Sequence, residues 1–269
     1  MEKGQPWEWR FTAALPTMRR QEETAMNLQK LGEPQSMSLA TLDRRSFLQA
    51  AAGAATLAAV PGSARAKHHA TSVGKPTPQQ ALAQLMEGHE RYLQGRPGAD
   101  DLASQRAELA KGQEPIAAVL SCADSRIVPD FLYDQPSGRL FVVRVAGNFL
   151  TNDGQASLEY GVEFLHIPLI VVLGHSSCGA VDAAVKVVTE DAKLPGKLPG
   201  LADSITPAVR AVLDRPGDLL DNAIAENVRL NMAALRKADP IIGPAAASGK
   251  IDIVGGVYDI ATGRVKMID

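Results

Sequence analysis

The chain has 269 residues, 45% of them apolar, with a formal net charge of -2. That length and apolar content suit one substantial core, or at most two domains. The near-neutral balance, with only 4% aromatic residues, excludes a basic surface interleaved with aromatics for nucleic-acid stacking. The sequence shows no internal repeat and, after residue 66, no apolar run long enough to span a membrane.

Residues 1–66 read differently from the rest. Arg44 and Arg45 stand directly before an uncharged, Ala- and Gly-rich stretch over 47–60, which Pro61 and Gly62 break. Ala64-Arg65-Ala66 follows as a small-x-small cleavage site. This layout resembles a bacterial twin-arginine (Tat) export signal. It implies a periplasmic or secreted product with no stable membrane anchor after processing; the alternative is an ordinary buried Ala-rich helix. Met26 and Met37 are alternative starts. Residues 67–76 are polar and are expected to form a disordered linker, with His68 and His69 as part of a solvated stub.

The domain is expected over 77–269. Helical spacing predicts a helix over 77–95, with Thr77 as N-cap, and a second over 101–111. Short apolar runs at 115–120, 140–145, 168–173 and 251–257, mostly rich in β-branched residues, suit strands buried on both faces of a parallel sheet. Helical patterns at 155–166, 179–190 and much of 201–237 lie between or beside them, and 193–200 reads as a turn-rich loop. Strands alternating with helices define an α/β fold: a single domain with a mainly parallel sheet flanked by helices.

The only two cysteines sit where a metal would want them. Cys122 opens Cys122-Ala123-Asp124-Ser125-Arg126, and Cys178 closes His175-Ser176-Ser177-Cys178, each just beyond an apolar run. Ligand sites in such sheets lie beyond the carboxyl ends of the strands. Cys122, His175 and Cys178 therefore make a three-ligand zinc set with one position left open, as in a catalytic site. Cys178 would open the following helix, whose N-terminus favours a thiolate. In an exported protein the rival reading is a disulfide between the two cysteines. Zinc makes hydroxide available near neutral pH; two thiolates weaken its pull on water relative to three imidazoles, so activity should rise with alkaline pH.

If the chain leaves its strand extended, Cys122, Asp124 and Arg126 share a face. Arg126 would keep Asp124 ionised and fixed, and Asp124 would orient the zinc-bound hydroxide or swing in as a fourth ligand. The plainer alternative is a surface ion pair.

Cys-Ala-Asp-Ser-Arg followed by His-Ser-Ser-Cys-Gly resembles the β-class carbonic anhydrases, over roughly residues 77–269. Phe141-Val-Val-Arg144, Gly147-Asn148, Glu159-Tyr160, the run from Ile253 to Asp259 and Thr262-Gly263 belong to the same likeness. The resemblance implies zinc-dependent hydration of CO2 to bicarbonate and a proton, with Cys122, His175 and Cys178 as ligands and Asp124 and Arg126 as the catalytic dyad. It also implies Gln113, Phe141, Tyr160 and Gly179 as substrate-binding residues, with Phe141 and Tyr160 contributed by the dimer partner. A homodimer or homotetramer is expected. Two departures stand out. Gly147 is inserted between Ala146 and Asn148, which leaves the local pocket register open. Val119 and Ser121 occupy the positions of a Trp and a Gly in members with a non-catalytic bicarbonate site, which argues for the plant-like, open-site subgroup. Arg144 occurs in both subgroups and decides nothing. Hydrolysis of carbonyl sulfide or carbon disulfide is the alternative activity, and a non-enzymatic zinc-binding protein the third.

Overall fold

The described residues are built around a strand that is buried along its whole length. β3 (Leu169–His175) is buried at every position, as is its neighbour β1 (Ala117–Ser121). β2 (Leu140–Arg144) and β4 (Asp252–Tyr258) flank them. The order is β2-β1-β3-β4-β5, with the first four strands parallel and β5 (Val265–Ile268) antiparallel at the edge. The structure, a computed structural model, describes residues 74–96, 98 and 102–269. The expected extension and export signal at 1–66 and most of the expected linker at 67–76 lie outside them. No helix among the described residues is long and apolar enough to cross a membrane.

The four predicted strands are present within two residues of their expected ends. β5 was not anticipated. It has four residues, only partly buried, so it carries neither a long apolar run nor a clean alternation.

Both faces of the sheet are covered, as near-continuous apolar strands require. Ala118, Leu120, Ile170, Val172 and Ile253 pack with α4 (Asn152–Glu163), α7 (Leu219–Arg236) and α8 (Ile242–Ala247). Ala117, Val119, Val171 and Leu173 face α1 (Pro78–Leu93) and the short α3 (Pro129–Leu132). α2 (Leu102–Leu109) precedes β1. α5 (Gly179–Glu190) and α6 (Leu198–Arg210) contribute to a third cluster that includes both cysteines.

α1 starts where predicted. Thr77 accepts from the Gln80 N–H while the Gln80 side chain accepts from the Thr77 N–H, a reciprocal capping box with Pro78 behind it. Its buried face ends at His89, whose Nδ1 donates to the Leu132 carbonyl and whose Nε2 accepts from the Val265 N–H. That histidine ties α1 to α3 and the edge strand.

Three helix boundaries differ from expectation. α4 runs over Asn152–Glu163 rather than 155–166. Thr151 caps it earlier, and His166 takes a left-handed φ of 53° ahead of Pro168. The region 201–237 is two helices, interrupted near Pro216 and Gly217, the latter at φ 104°. The loop at 193–200 ends early, because Pro199 sits in the first turn of α6.

Candidate metal centre

Cys122 is the first residue past β1, His175 is the last residue of β3, and Cys178 is the N-cap of α5. β1 and β3 are adjacent, so their carboxyl ends deliver the three side chains to one point. One ligand atom from each lies within 4.8 Å of the others, and all three residues are buried. The chain does not stay extended from Cys122 to Arg126, but turns at Ser125 and Arg126. The Ile127 N–H donates to the Asp124 carbonyl, and the Arg126 N–H donates to Asp124 Oδ1, which makes a turn. The turn still brings Asp124 to the site, with Oδ2 4.0 Å from His175 Nε2.

Each ligand is oriented by its own surroundings. His175 Nδ1 donates to the Ser176 carbonyl at 2.9 Å, which places the remaining lone pair on Nε2. That Nε2 is buried and has no hydrogen-bond partner, a costly state for a polar atom unless something binds there. Burial opposes protonation of this ring, but Cys122, the Ser176 carbonyl and Asp124 outweigh it and raise its pKa. The Cys122 sulfur accepts from the Gly147 N–H at 3.3 Å and the Asp124 N–H at 3.4 Å. A hydrogen bond from Cys178 is the main reason that its pKa falls; burial opposes this, while His175 and these two amides add to it. Cys178 is pushed the other way by sharing a proton with Cys122 and by burial, while the Val181 and Ala180 amides at the start of α5 favour its thiolate.

The two sulfurs are 4.0 Å apart and both cysteines are free, so the disulfide reading does not describe this structure. Tetrahedral zinc with Zn–S bonds of about 2.3 Å separates two sulfurs by about 3.8 Å. The spacing, the orphaned imidazole nitrogen and the soft donor set all fit a zinc ion.

Asp124 is gripped by Arg126 in bidentate fashion: Nε to Oδ1 at 2.9 Å and Nη2 to Oδ2 at 2.7 Å. That hydrogen bonding holds the carboxyl well below the usual carboxylate range. The pair differs from a plain surface ion pair in its position: Arg126 is half exposed, but the Asp124 carboxylate is largely covered and stands 4.0 Å from the buried His175. Gly179 opens α5 beside Cys178, with no atom within 4 Å of where a Cβ would stand.

Gln113, Phe141 and Tyr160 are not brought to this point by their own chain. Gln113 is exposed ahead of β1, on the far side of that strand from Cys122. Phe141 pairs with Ala118, near the beginning of β1. Four steps of a strand cover about 13 Å. Tyr160 lies on α4, 6.2 Å from the Phe141 ring and 5.4 Å from Phe164. The strip is open to solvent, Tyr160 at 48% and Phe164 at 68% exposure.

Sequence reasoning missed three supports. Arg144, at the end of β2, donates through Nε to the Cys122 carbonyl at 2.9 Å and through Nη2 to the Asp124 carbonyl at 2.6 Å. Its register opposite Ser121 would have revealed this once the strand pairing was known. Gly147, the inserted residue, supplies an N–H to the Cys122 sulfur. Asn227 and Asn231 on α7 are buried and reach the loop after β2.

The fold and site together define a class: an α/β sheet whose two central strands present two thiolates and an imidazole beside a fixed carboxylate. A family profile described as "Carbonic anhydrase" matches residues 117–265. Carbonic anhydrase 2 of Mycobacterium tuberculosis is 37% identical over 195 residues, covering 71% of this chain and 93% of that protein. A carbonic anhydrase of Mycolicibacterium smegmatis is 37% identical over 193 residues, with the same coverage. Among solved structures, the β-carbonic anhydrase CcaA matches at 31% identity and TM-score 0.56, covering 70% of this chain and 95% of its own. A Coccomyxa β-carbonic anhydrase in complex with acetazolamide matches at 28% identity and TM-score 0.53, with 69% and 85% covered. The chain belongs to the β-class carbonic anhydrase family.

Proposed function

We propose that this protein is a zinc enzyme that reversibly hydrates CO2 to bicarbonate and a proton. The observation that carries the reading is the convergence of Cys122, His175 and Cys178 within 4.8 Å, with the Arg126-bound carboxylate of Asp124 4.0 Å from His175. Cys122, Cys178 and His175 Nε2 would hold the zinc. When bound, zinc lowers the pKa of water and supplies a nucleophile near neutral pH.

Asp124 stays ionised, accepts a hydrogen bond from the attacking water and so aims its lone pair at the CO2 carbon. Arg126 keeps that carboxylate from turning away. The Gly179 N–H, at the start of α5, is a donor for the oxygens on which charge develops. Dissolved buffer takes the proton.

Gln113, Phe141 and Tyr160 complete the substrate pocket from a second copy, because their own chain carries them outward. The protein is accordingly a homodimer or an assembly of dimers. Val119 and Ser121 support the plant-like, open-site subgroup. The paired Arg44-Arg45 and the Ala64-Arg65-Ala66 site support Tat export and a periplasmic or secreted product that begins after Ala66.

The test is stopped-flow CO2 hydration by the zinc-loaded protein from about pH 6.5 to 9. Turnover that rises with pH and is blocked by acetazolamide, which the Coccomyxa enzyme binds, supports the reading. Stoichiometric zinc with no turnover at any pH overturns it.

A further inference from the structure

We infer that Asn227 and Asn231 are positioning residues for the metal centre: a buried amide pair on α7 that pins the loop after β2, so that the Gly147 N–H stays on the Cys122 sulfur. The inference rests on the zinc reading of Cys122, His175 and Cys178.

Both asparagines are nearly sealed from solvent, at 2% and 8% exposure. Buried amides need partners, and theirs lie on the loop at 145–150 and on each other. Asn227 Nδ2 donates to the Gly147 carbonyl at 2.8 Å. Asn231 Nδ2 donates to the Asn227 carbonyl at 2.7 Å and to Asn227 Oδ1 at 3.1 Å. Asn231 Oδ1 accepts from the Leu150 N–H at 2.7 Å. Each amide can satisfy this chain in one orientation only. The Leu150 N–H requires an oxygen from Asn231, which turns its NH2 toward Asn227. That in turn leaves the Asn227 NH2 for Gly147.

Gly147 has little freedom of its own. Its φ is +82°, and a Cβ there would stand 2.5 Å from Ile205 Cδ1. The same helix approaches the other side of the site. Val228, next to Asn227, packs so close to Gly174 that a Cβ on that glycine would lie 2.9 Å from Val228 Cγ2. Gly174 immediately precedes His175. α7 therefore indexes both the loop that hydrogen-bonds one metal ligand and the strand that bears another. A hydrogen bond to a thiolate withdraws charge from sulfur, and such outer contacts set ligand strength and metal affinity.

The test uses Asn227→Leu, Asn231→Ala and, as a destabilised control on the same helix, Leu235→Ala, which packs in the core away from the centre. Three quantities are read: zinc affinity by chelator competition, the sulfur-to-cobalt charge-transfer band of the cobalt-substituted protein, and hydrogen exchange of residues 145–150 in metal-free protein. Asn227→Leu should weaken zinc by about tenfold, move the band to lower energy and speed exchange of the loop. Asn231→Ala should move all three in the same direction by less, and Leu235→Ala should leave the band in place. Wild-type band, affinity and exchange in both asparagine variants overturn the proposal, as does a band shift in Leu235→Ala equal to that of Asn227→Leu. If Asn227→Leu does not fold, Asn231→Ala decides. If even the wild-type protein binds neither metal, the zinc reading falls, and the exchange of the metal-free loop still decides whether the pair pins it.

Discussion

Oδ2 of Asp124 stands 4.0 Å from Nε2 of His175, yet it is already held by Arg126 at 2.7 Å. The carboxylate is close enough to act on whatever the histidine binds, and it is anchored against moving in. Asp124→Asn keeps the size of the side chain and removes the charge and the bidentate grip. It should leave zinc stoichiometry unchanged and reduce kcat/KM for CO2 hydration by about 10²- to 10⁴-fold. Metal analysis and stopped-flow kinetics on one preparation check both halves. Full zinc with full activity would remove Asp124 from the mechanism.

Arg144 clamps the backbone on which Cys122 and Asp124 ride. Arg144→Gln should cost about 1–3 kcal/mol by urea unfolding, since hydrogen bonds from a charged donor are lost to two carbonyls. Arg144→Lys should recover only part of this, because an ammonium lacks the planar fork that spans both oxygens. Equal stability of Lys and wild type would show that charge alone is at work.

The aromatic strip of Phe141, Tyr160 and Phe164 gives a test of the proposed assembly. Solvent-facing rings in contact with one another mark an association surface. Phe164→Glu should yield monomers in sedimentation experiments while circular dichroism stays unchanged. CO2 hydration should fall by about tenfold or more, because Phe141 and Tyr160 would then reach no partner's site. A fully active monomer would refute the shared pocket.

At high pH two phenols work against the fold. Burial, with the hydrogen bond that its hydroxyl shares with Tyr92, pushes Tyr258 up from 10.0 to about 12, and burial alone drives Tyr133 higher still. The folded state thus keeps these protons where the unfolded chain releases them. The contribution of Tyr258 is whole below pH 10 and is lost as pH rises through about 12, that of Tyr133 at higher pH still. Unfolding free energy should decline over that window, and Tyr258→Phe should flatten the decline. An identical slope in the variant would exclude Tyr258 as a source.

Much of this was readable in the chain because it rests on local pattern. Leu169 to Leu173 is a continuous apolar run, and buried parallel strands leave that mark. Cys122, His175 and Cys178 stood out as chemistry placed just past such runs. What stayed hidden depends on distant partners. Asn227 and Asn231 read as ordinary polar residues of a helix, since nothing near them in sequence says that residues 147 and 150 will lie opposite. Arg144 belonged to the family likeness, but its hold on the Cys122 and Asp124 carbonyls was hidden until β2 was set in register with β1. For Phe141 and Tyr160 the resemblance gives a role and assigns it to the partner copy; for Gln113 it gives a role without saying which copy of the chain delivers it.

The two sulfurs come from residues 56 apart, on opposite sides of a strand pairing that closes only when β3 docks on β1. At about 5–20 residues per second of synthesis, Cys122 leaves the ribosome about 3–11 s before Cys178. Throughout that interval it is a solitary thiol with no metal site to enter, open to oxidation or to the wrong ion. Capture of the proposed zinc would thus be a late event that reports on completion of the central strand pair, and the newborn chain exposes a thiol that its finished form buries.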